Sequence, residues 1–249
     1  MSDMPGYASF EFSAQGRRKP VFYKGSGAGI LLMHELPGMV RECVALADYL
    51  ASKGYTVFLP LLFGGANVRF TQARTALHVA QICVRREILL FGRDEDSPIA
   101  SWLRALAQEI RRRRPEGRGI GVIGMCLTGG FAINLMIEDV VVAPVACQPS
   151  LPLTTFGAPA DALGVSPATL RAAVARSASV PLQCYRFAGD TISPVERFTR
   201  LQREFGTGLD GHQLPGADHS VLTIDFVDDP AHPTHQARDR ILRFFRQRL

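Results

Sequence analysis

The sequence predicts an α/β fold in which a mostly parallel central sheet is covered by helices on both faces. Three observations carry this. Short continuous apolar runs, as in Gly29-Ile-Leu-Leu-Met-His34 and Tyr55-Thr-Val-Phe-Leu-Pro60, read as strands buried on both faces. Segments with apolar residues at helical spacing separate them, so strands and helices alternate. Glycine, proline and small polar residues punctuate the joins. With 249 residues, 47% of them hydrophobic, the chain can bury a full core. No composition break or internal repeat divides it, and residues 1–249 read as one domain.

The elements follow in order. Ser9–Ser13 and Pro20–Tyr23, joined by turn residues, predict an N-terminal hairpin. The strand Gly29–His34 leads to a helix over Arg41–Lys53, with Cys43, Val44, Leu46, Ala47 and Leu50 on one face and Gly54 as its stop. The strand Tyr55–Pro60 and a loop at Gly64-Gly65 precede two helices, Thr71–Leu90 and Ile99–Arg113, broken at Asp94–Pro98. Then come a strand at Ile120–Ile123, a helix at Thr128–Ile137, a strand at Val140–Cys147 and a loop at Pro149–Val165. Ser166 caps a helix over Pro167–Arg176, with proline at its first position. A strand Leu182–Ala188, a helix Pro194–Phe205 and a strand Leu209–Leu214 follow, and Thr234 is read as the cap of a last helix ending at Leu249.

Composition excludes several function classes. The formal net charge is +5, but only Lys19, Lys24 and Lys53 are lysines, so arginine is the default surface cation here. The run Arg111–Arg114 closes a helix, where positive charge complements the helix dipole, and no aromatic platforms interleave it. It is read as a solvated helix end and not as a nucleic-acid or membrane site. The five cysteines are an odd number without a C-x-x-C pair, which argues against a disulfide framework or structural zinc. The metal-capable residues of Asp228–His235 are interrupted by prolines and read as a loop. No phosphate-binding glycine pattern is present in context, and no cofactor is expected. The N-terminal residues have neither a basic nor an apolar leader region, and no segment has membrane-spanning length, so a cytoplasmic protein is expected.

Sites in such sheets lie beyond the carboxyl ends of the strands. Four predicted post-strand turns carry reactive residues: His34-Glu35, Cys126, Asp190 and His219. The last three run in the order nucleophile, acid, histidine, which is the order of a triad on an α/β-hydrolase fold. Cys126 lies in Gly124-Met-Cys-Leu-Thr-Gly-Gly130, where glycines give a strand and a helix room to meet in a sharp turn. A helix N-terminus favours a thiolate there. Cys43, Cys83, Cys147 and Cys184 sit in apolar runs and read as inert core residues. His219 can take the thiol proton from a loop over the sheet, and Asp190 can hold its other ring nitrogen. Asp190 also fits as a local turn former, and Asp218 is a rival acid, poorly placed because it adjoins the histidine.

Taken together, His34-Glu-Leu-Pro-Gly38, Gly124–Gly130, Gly189-Asp-Thr-Ile-Ser-Pro194 and Gly216-Ala-Asp-His219 resemble the dienelactone hydrolase family of α/β-hydrolases over nearly the whole chain. The resemblance implies a triad of Cys126, His219 and Asp190 that hydrolyses a small-molecule ester or lactone through a thioester, with backbone N–H groups of Leu36 and Leu127 as oxyanion donors. It also implies that Glu35 contacts the thiol and helps deprotonate it. The chain departs from the family pattern in two respects, one bearing on the substrate and one on catalysis. The family's two carboxylate-binding arginines align near Gly64-Gly65 and on Thr223, with Arg69 and Arg74 as nearby alternatives, so a substrate other than dienelactone is expected. Thr128 also stands where the turn usually has glycine. That feature favours the rival reading, a catalytically silent member of the fold that binds a small ligand or partner.

Overall fold

The computed structural model describes residues 4–71, 97–151 and 159–249. Most of the predicted Thr71–Leu90 helix, residues 94–96 of the break after it, Cys83, Arg74 and part of the Pro149–Val165 loop lie outside the described residues, while Ser97 and Pro98 of that break open the next helix.

The N-terminal hairpin forms from β1 (Ala8–Ala14) and β2 (Arg17–Gly25). Six further strands extend it: β3 (Gly29–Met33), β5 (Thr56–Pro60), β7 (Ile120–Met125), β8 (Val141–Cys147), β9 (Leu182–Phe187) and β10 (Leu209–Leu214). The eight strands lie in the order β1-β2-β5-β3-β7-β8-β9-β10. From β5 to β10 every pairing is parallel, while β1 and β2 pair antiparallel at one edge. The central strands β3, β5 and β7 are buried at every residue, which is why they read as unbroken apolar runs rather than alternating ones. A small parallel pair, β4 (Met39–Val40) with β6 (Ala66–Val68), was not expected; two and three residues are too few to leave a periodic signal.

Six helices are described. One core layer takes its helical residues from α1 (Arg41–Ser52) and α6 (Pro233–Arg248). The other takes them from α2 (Pro98–Arg113), α3 (Gly129–Leu135), α4 (Pro167–Ser177) and α5 (Val195–Phe205). In α2, Ser97 accepts a hydrogen bond from the Ile99 N–H at 3.3 Å, and Trp102, Leu103, Leu106 and Ile110 bury its inner face. The arginine run ends this helix: Arg112 and Arg113 pair with Glu109 at 2.8 and 2.7 Å, and Arg113 lies over the Phe10 ring. Ser166 caps α4 as expected, accepting from Thr169 N at 3.2 Å. The cap of α6 is corrected to His232, whose Nδ1 accepts from Thr234 N at 3.3 Å. Pro233 occupies the first helical position, so the chain must leave extended geometry one residue before it, and Thr234 is already inside. No helix among the described residues is long and apolar enough to cross a membrane.

β3 and β7 are neighbours in register, Met33 opposite Gly124. The loops carrying Glu35 and Cys126 therefore leave the same end of the sheet side by side. Those after β8, β9 and β10 emerge beside them, because all these strands run parallel.

Candidate active site

The turn after β7 reverses the chain within one residue. Met125 is extended, Cys126 has φ +52°, and a single 3₁₀ turn over Cys126–Thr128 runs straight into α3. A left-handed conformation in a residue with a Cβ costs about 1–3 kcal/mol and persists where surrounding structure over-determines it. Two glycines make the reversal possible. A Cβ on Gly124 would lie 2.2 Å from the Thr128 carbonyl oxygen, and one on Gly129 would lie 2.7 Å from Pro149 Cα. Thr128, the departure from glycine, is fully buried; its hydroxyl accepts from Met125 N at 2.9 Å and has the Met125 and Met33 carbonyls at 2.9 and 3.1 Å for its one proton. The threonine thus ties the nucleophile turn to the end of β3.

Cys126 is 9% exposed, whereas Cys43, Cys147 and Cys184 are fully buried. Burial pushes those three thiols up, Cys184 to about 12, as expected for core cysteines. The Cys126 sulfur accepts a hydrogen bond from Ser150 Oγ at 3.0 Å.

Asp190, in the loop after β9, divides its carboxylate between two tasks. Oδ1 accepts from the backbone N–H groups of Ile192 and Ser193 at 2.8 and 3.1 Å, the local turn role; Oδ2 lies 2.8 Å from His219 Nδ1. The ring nitrogen is paired with Asp190 and not with the exposed Asp218. With Nδ1–H donating to Asp190, Nε2 is the buried nitrogen left to exchange a proton with the neighbouring thiol. Burial opposes a charge on His219, but the neighbouring Cys126 sulfur and the Asp190 carboxylate outweigh it and push the ring's pKa well above the usual histidine range. The histidine loop is shaped by Asp225, whose Oδ2 accepts from His219 N and Ser220 N at 3.0 and 2.7 Å.

Glu35 is 1% exposed beyond the end of β3. Its Oε2 accepts from Ser220 Oγ at 3.0 Å and Gln148 Nε2 at 3.2 Å, and Thr223 Oγ1 donates to Oε1. Burial raises the carboxyl above the usual range, and the His219 charge and these three donors work against that rise. A Glu35 oxygen, the Cys126 sulfur and a His219 nitrogen all lie within 4.8 Å of one another. They are also the one cluster of three metal-ligand types among the described residues, although three donors already occupy the carboxylate. Thr223 thus spends its hydroxyl on Glu35. Arg69 is exposed on the loop after β6.

His34 fixes the base of the Glu35 loop. It is fully buried, its Nδ1 meets the Glu35 carbonyl at 3.1 Å, and its Nε2 accepts from Leu62 N at 3.1 Å. That pattern requires the neutral ring, and burial, aided by the Lys19 charge, holds its pKa down to about 4 against the Glu35 carbonyl bond. Leu36 and Leu127, the residues immediately after Glu35 and Cys126, are both buried.

Several contributors escaped sequence reading. Arg186, fully buried on β9, donates to the carbonyls of Ala188, Asp190 and Ser193 and so braces the acid loop. Arg197 and Ser193 both donate to the Pro149 carbonyl, at 3.1 and 2.8 Å. Ser150, Gln148 and Ser220 lack any local pattern that would mark them, since their side chains act on partners in other loops, and Asp225 shapes its own loop through backbone N–H groups.

The model of the dienelactone hydrolase family matches residues 20–249. No curated protein matches the chain. Among solved structures, a candidate dienelactone hydrolase from Klebsiella pneumoniae subsp. pneumoniae MGH 78578 is 16% identical with a TM-score of 0.67, covering 97% of this chain and 99% of that one. The Pyrococcus furiosus esterase Pf2001 is 17% identical with a TM-score of 0.62, over 97% and 92% of the two chains. Est1E from Butyrivibrio proteoclasticus is 11% identical with a TM-score of 0.61, over 96% and 98%. At these identities the structures share the fold.

Proposed function

The chain belongs to the dienelactone hydrolase family and is an ester or lactone hydrolase, and from that premise we propose that Cys126, His219 and Asp190 perform the hydrolysis through an acyl-enzyme thioester. One observation carries the reading. A cysteine on a left-handed turn, a histidine nitrogen within 4.8 Å of its sulfur and a carboxylate bonded to the ring's Nδ1 at 2.8 Å converge at one end of the sheet. A core cysteine has no need of such a turn.

In this mechanism the Cys126 thiol gives its proton to His219 Nε2, and the sulfur attacks the carbonyl carbon. Asp190 keeps the ring in the tautomer that accepts this proton and stabilises the imidazolium. The backbone N–H groups of Leu36 and Leu127 meet the developing oxyanion. Collapse breaks the carbon–oxygen bond, the departing alkoxide takes the proton from His219, and a thioester remains on Cys126. Water then gives a proton to His219 and adds to the thioester. The acid leaves and the thiolate recovers that proton. Glu35 serves as a second proton acceptor for the thiol when substrate enters, a role supported by its raised pKa and its place within 4.8 Å of the other two groups. The hydroxyl at Thr223 supports a substrate other than dienelactone, because the side chain that aligns with a family arginine carries no charge.

The test compares wild type with Cys126→Ala on a short-chain aryl ester, a γ-lactone and a dienelactone, with intact-mass detection of a substrate-derived adduct. Turnover and adduct that both vanish in the variant are expected. Equal rates in the two proteins would overturn the mechanism.

A further inference from the structure

We propose that Ser150 is a hydrogen-bond donor to the reacting sulfur, one that aims Cys126 and stabilises its anionic form. The proposal rests on Cys126 being the nucleophile but goes beyond the proposed triad, in which this serine has no part.

Three observations carry it. Ser150 Oγ lies 3.0 Å from the Cys126 sulfur, a short separation for an O–H donor to sulfur, and the serine is 4% exposed. Its hydroxyl has no other partner among the described residues. The donor is also rigidly mounted. The Ser150 N–H donates to the Cys126 carbonyl at 3.0 Å, so the same two residues are joined twice, through backbone and through side chain. Just before it, the Pro149 carbonyl accepts from Ser193 Oγ at 2.8 Å and from Arg197 Nη1 at 3.1 Å, both buried.

The chemistry follows from the direction of the bond. Sulfur accepts hydrogen bonds weakly as a thiol and strongly as a thiolate, so a donor fixed at this distance favours the anion. When the sulfur attacks, its charge passes to the substrate oxygen and the bond weakens. Ser150 therefore sets how much nucleophile is present at rest and where it points. No bond to Ser150 is made or broken.

The test reads the sulfur directly and needs no substrate. The rate of iodoacetamide alkylation at Cys126, resolved by peptide mass spectrometry, is followed against pH for wild type, Ser150→Ala and Ser150→Thr. Hydrogen bonds to charged groups are worth enough to move such a profile by about 1–2 pH units. An alkylation midpoint that rises by about one unit or more in Ser150→Ala, and returns toward wild type in Ser150→Thr, is expected. If the threonine variant fails to fold, Ser150→Cys, which keeps a weaker donor in similar volume, should fall between wild type and alanine. Midpoints that coincide in wild type and Ser150→Ala would overturn the proposal, whatever happens to the melting temperature. Because alkylation does not require turnover, a failure here is distinguishable from a failure of the hydrolase mechanism.

Discussion

Lowering the pH should loosen the Glu35 loop through His34. This ring is fully buried and neutral, and its Nε2 must stay unprotonated to accept from Leu62 N. Its pKa falls from 6.5 in the unfolded chain to about 4 in the fold. A histidine with a depressed folded value stabilises in its neutral form. The contribution is complete above pH 6.5 and is lost as the pH falls toward 4, where the unfolded chain binds the proton that the fold excludes. At about 1.4 kcal/mol per pH unit, the whole window is worth about 3 kcal/mol. Other groups titrate in this range, so the assay is a difference: urea unfolding of wild type and His34→Gln at several pH values between 7.5 and 4. The wild type's advantage should shrink by about 3 kcal/mol on acidification. A difference that stays flat within about 0.5 kcal/mol would refute the claim that a neutral ring holds this loop.

Three further outcomes are expected. Asp190→Asn should lower kcat/KM by about 10²–10⁴-fold, since an amide neither stabilises the imidazolium nor enforces the Nδ1–H tautomer; unchanged kinetics would remove Asp190 from the mechanism. Gly124→Ala should lose more than about 2 kcal/mol in urea unfolding, because its Cβ would meet the Thr128 carbonyl oxygen at 2.2 Å; a loss of a few tenths would show that the turn can relax. Glu35→Gln should gain stability relative to wild type as the pH rises above 4.5. The raised carboxyl stabilises the fold while protonated, and that contribution fades as it ionises inside the protein. The same variant should hydrolyse the test esters more slowly, and a variant that loses stability at pH 8 would contradict this account of the carboxylate.

Most of the sheet was legible because parallel strands buried on both faces leave continuous apolar runs, and β10 falls on the expected Leu209–Leu214. The candidate site residues were legible because each follows a strand and glycines mark their turns. What was hidden is of two kinds. β4 and β6 are too short to be periodic, and the choice between His232 and Thr234 as a cap turns on one residue of backbone geometry. The supporting groups Ser150, Gln148 and Ser220 act across loops, and a single polar residue in a loop carries no trace of its distant partner, while Asp225 and Arg186 hold backbone groups of their own or the adjoining loop, which no residue pattern marks. Thr128 shows the limit from the other side. By itself it argued against a working turn, yet its hydroxyl bonds both the turn and the end of β3, which glycine could not.

The Pro149 carbonyl joins three loops. It receives Ser193, whose own N–H goes to Asp190, and it adjoins Ser150, which holds Cys126 by two hydrogen bonds. The nucleophile turn and the acid loop are thus laced into one unit that cannot open at one residue without parting several bonds together. Opening of this pair of loops on warming is therefore cooperative. Catalytic loss on warming should then track the melting of the sheet itself, and a designer seeking durability should strengthen the whole core rather than the rim of the site.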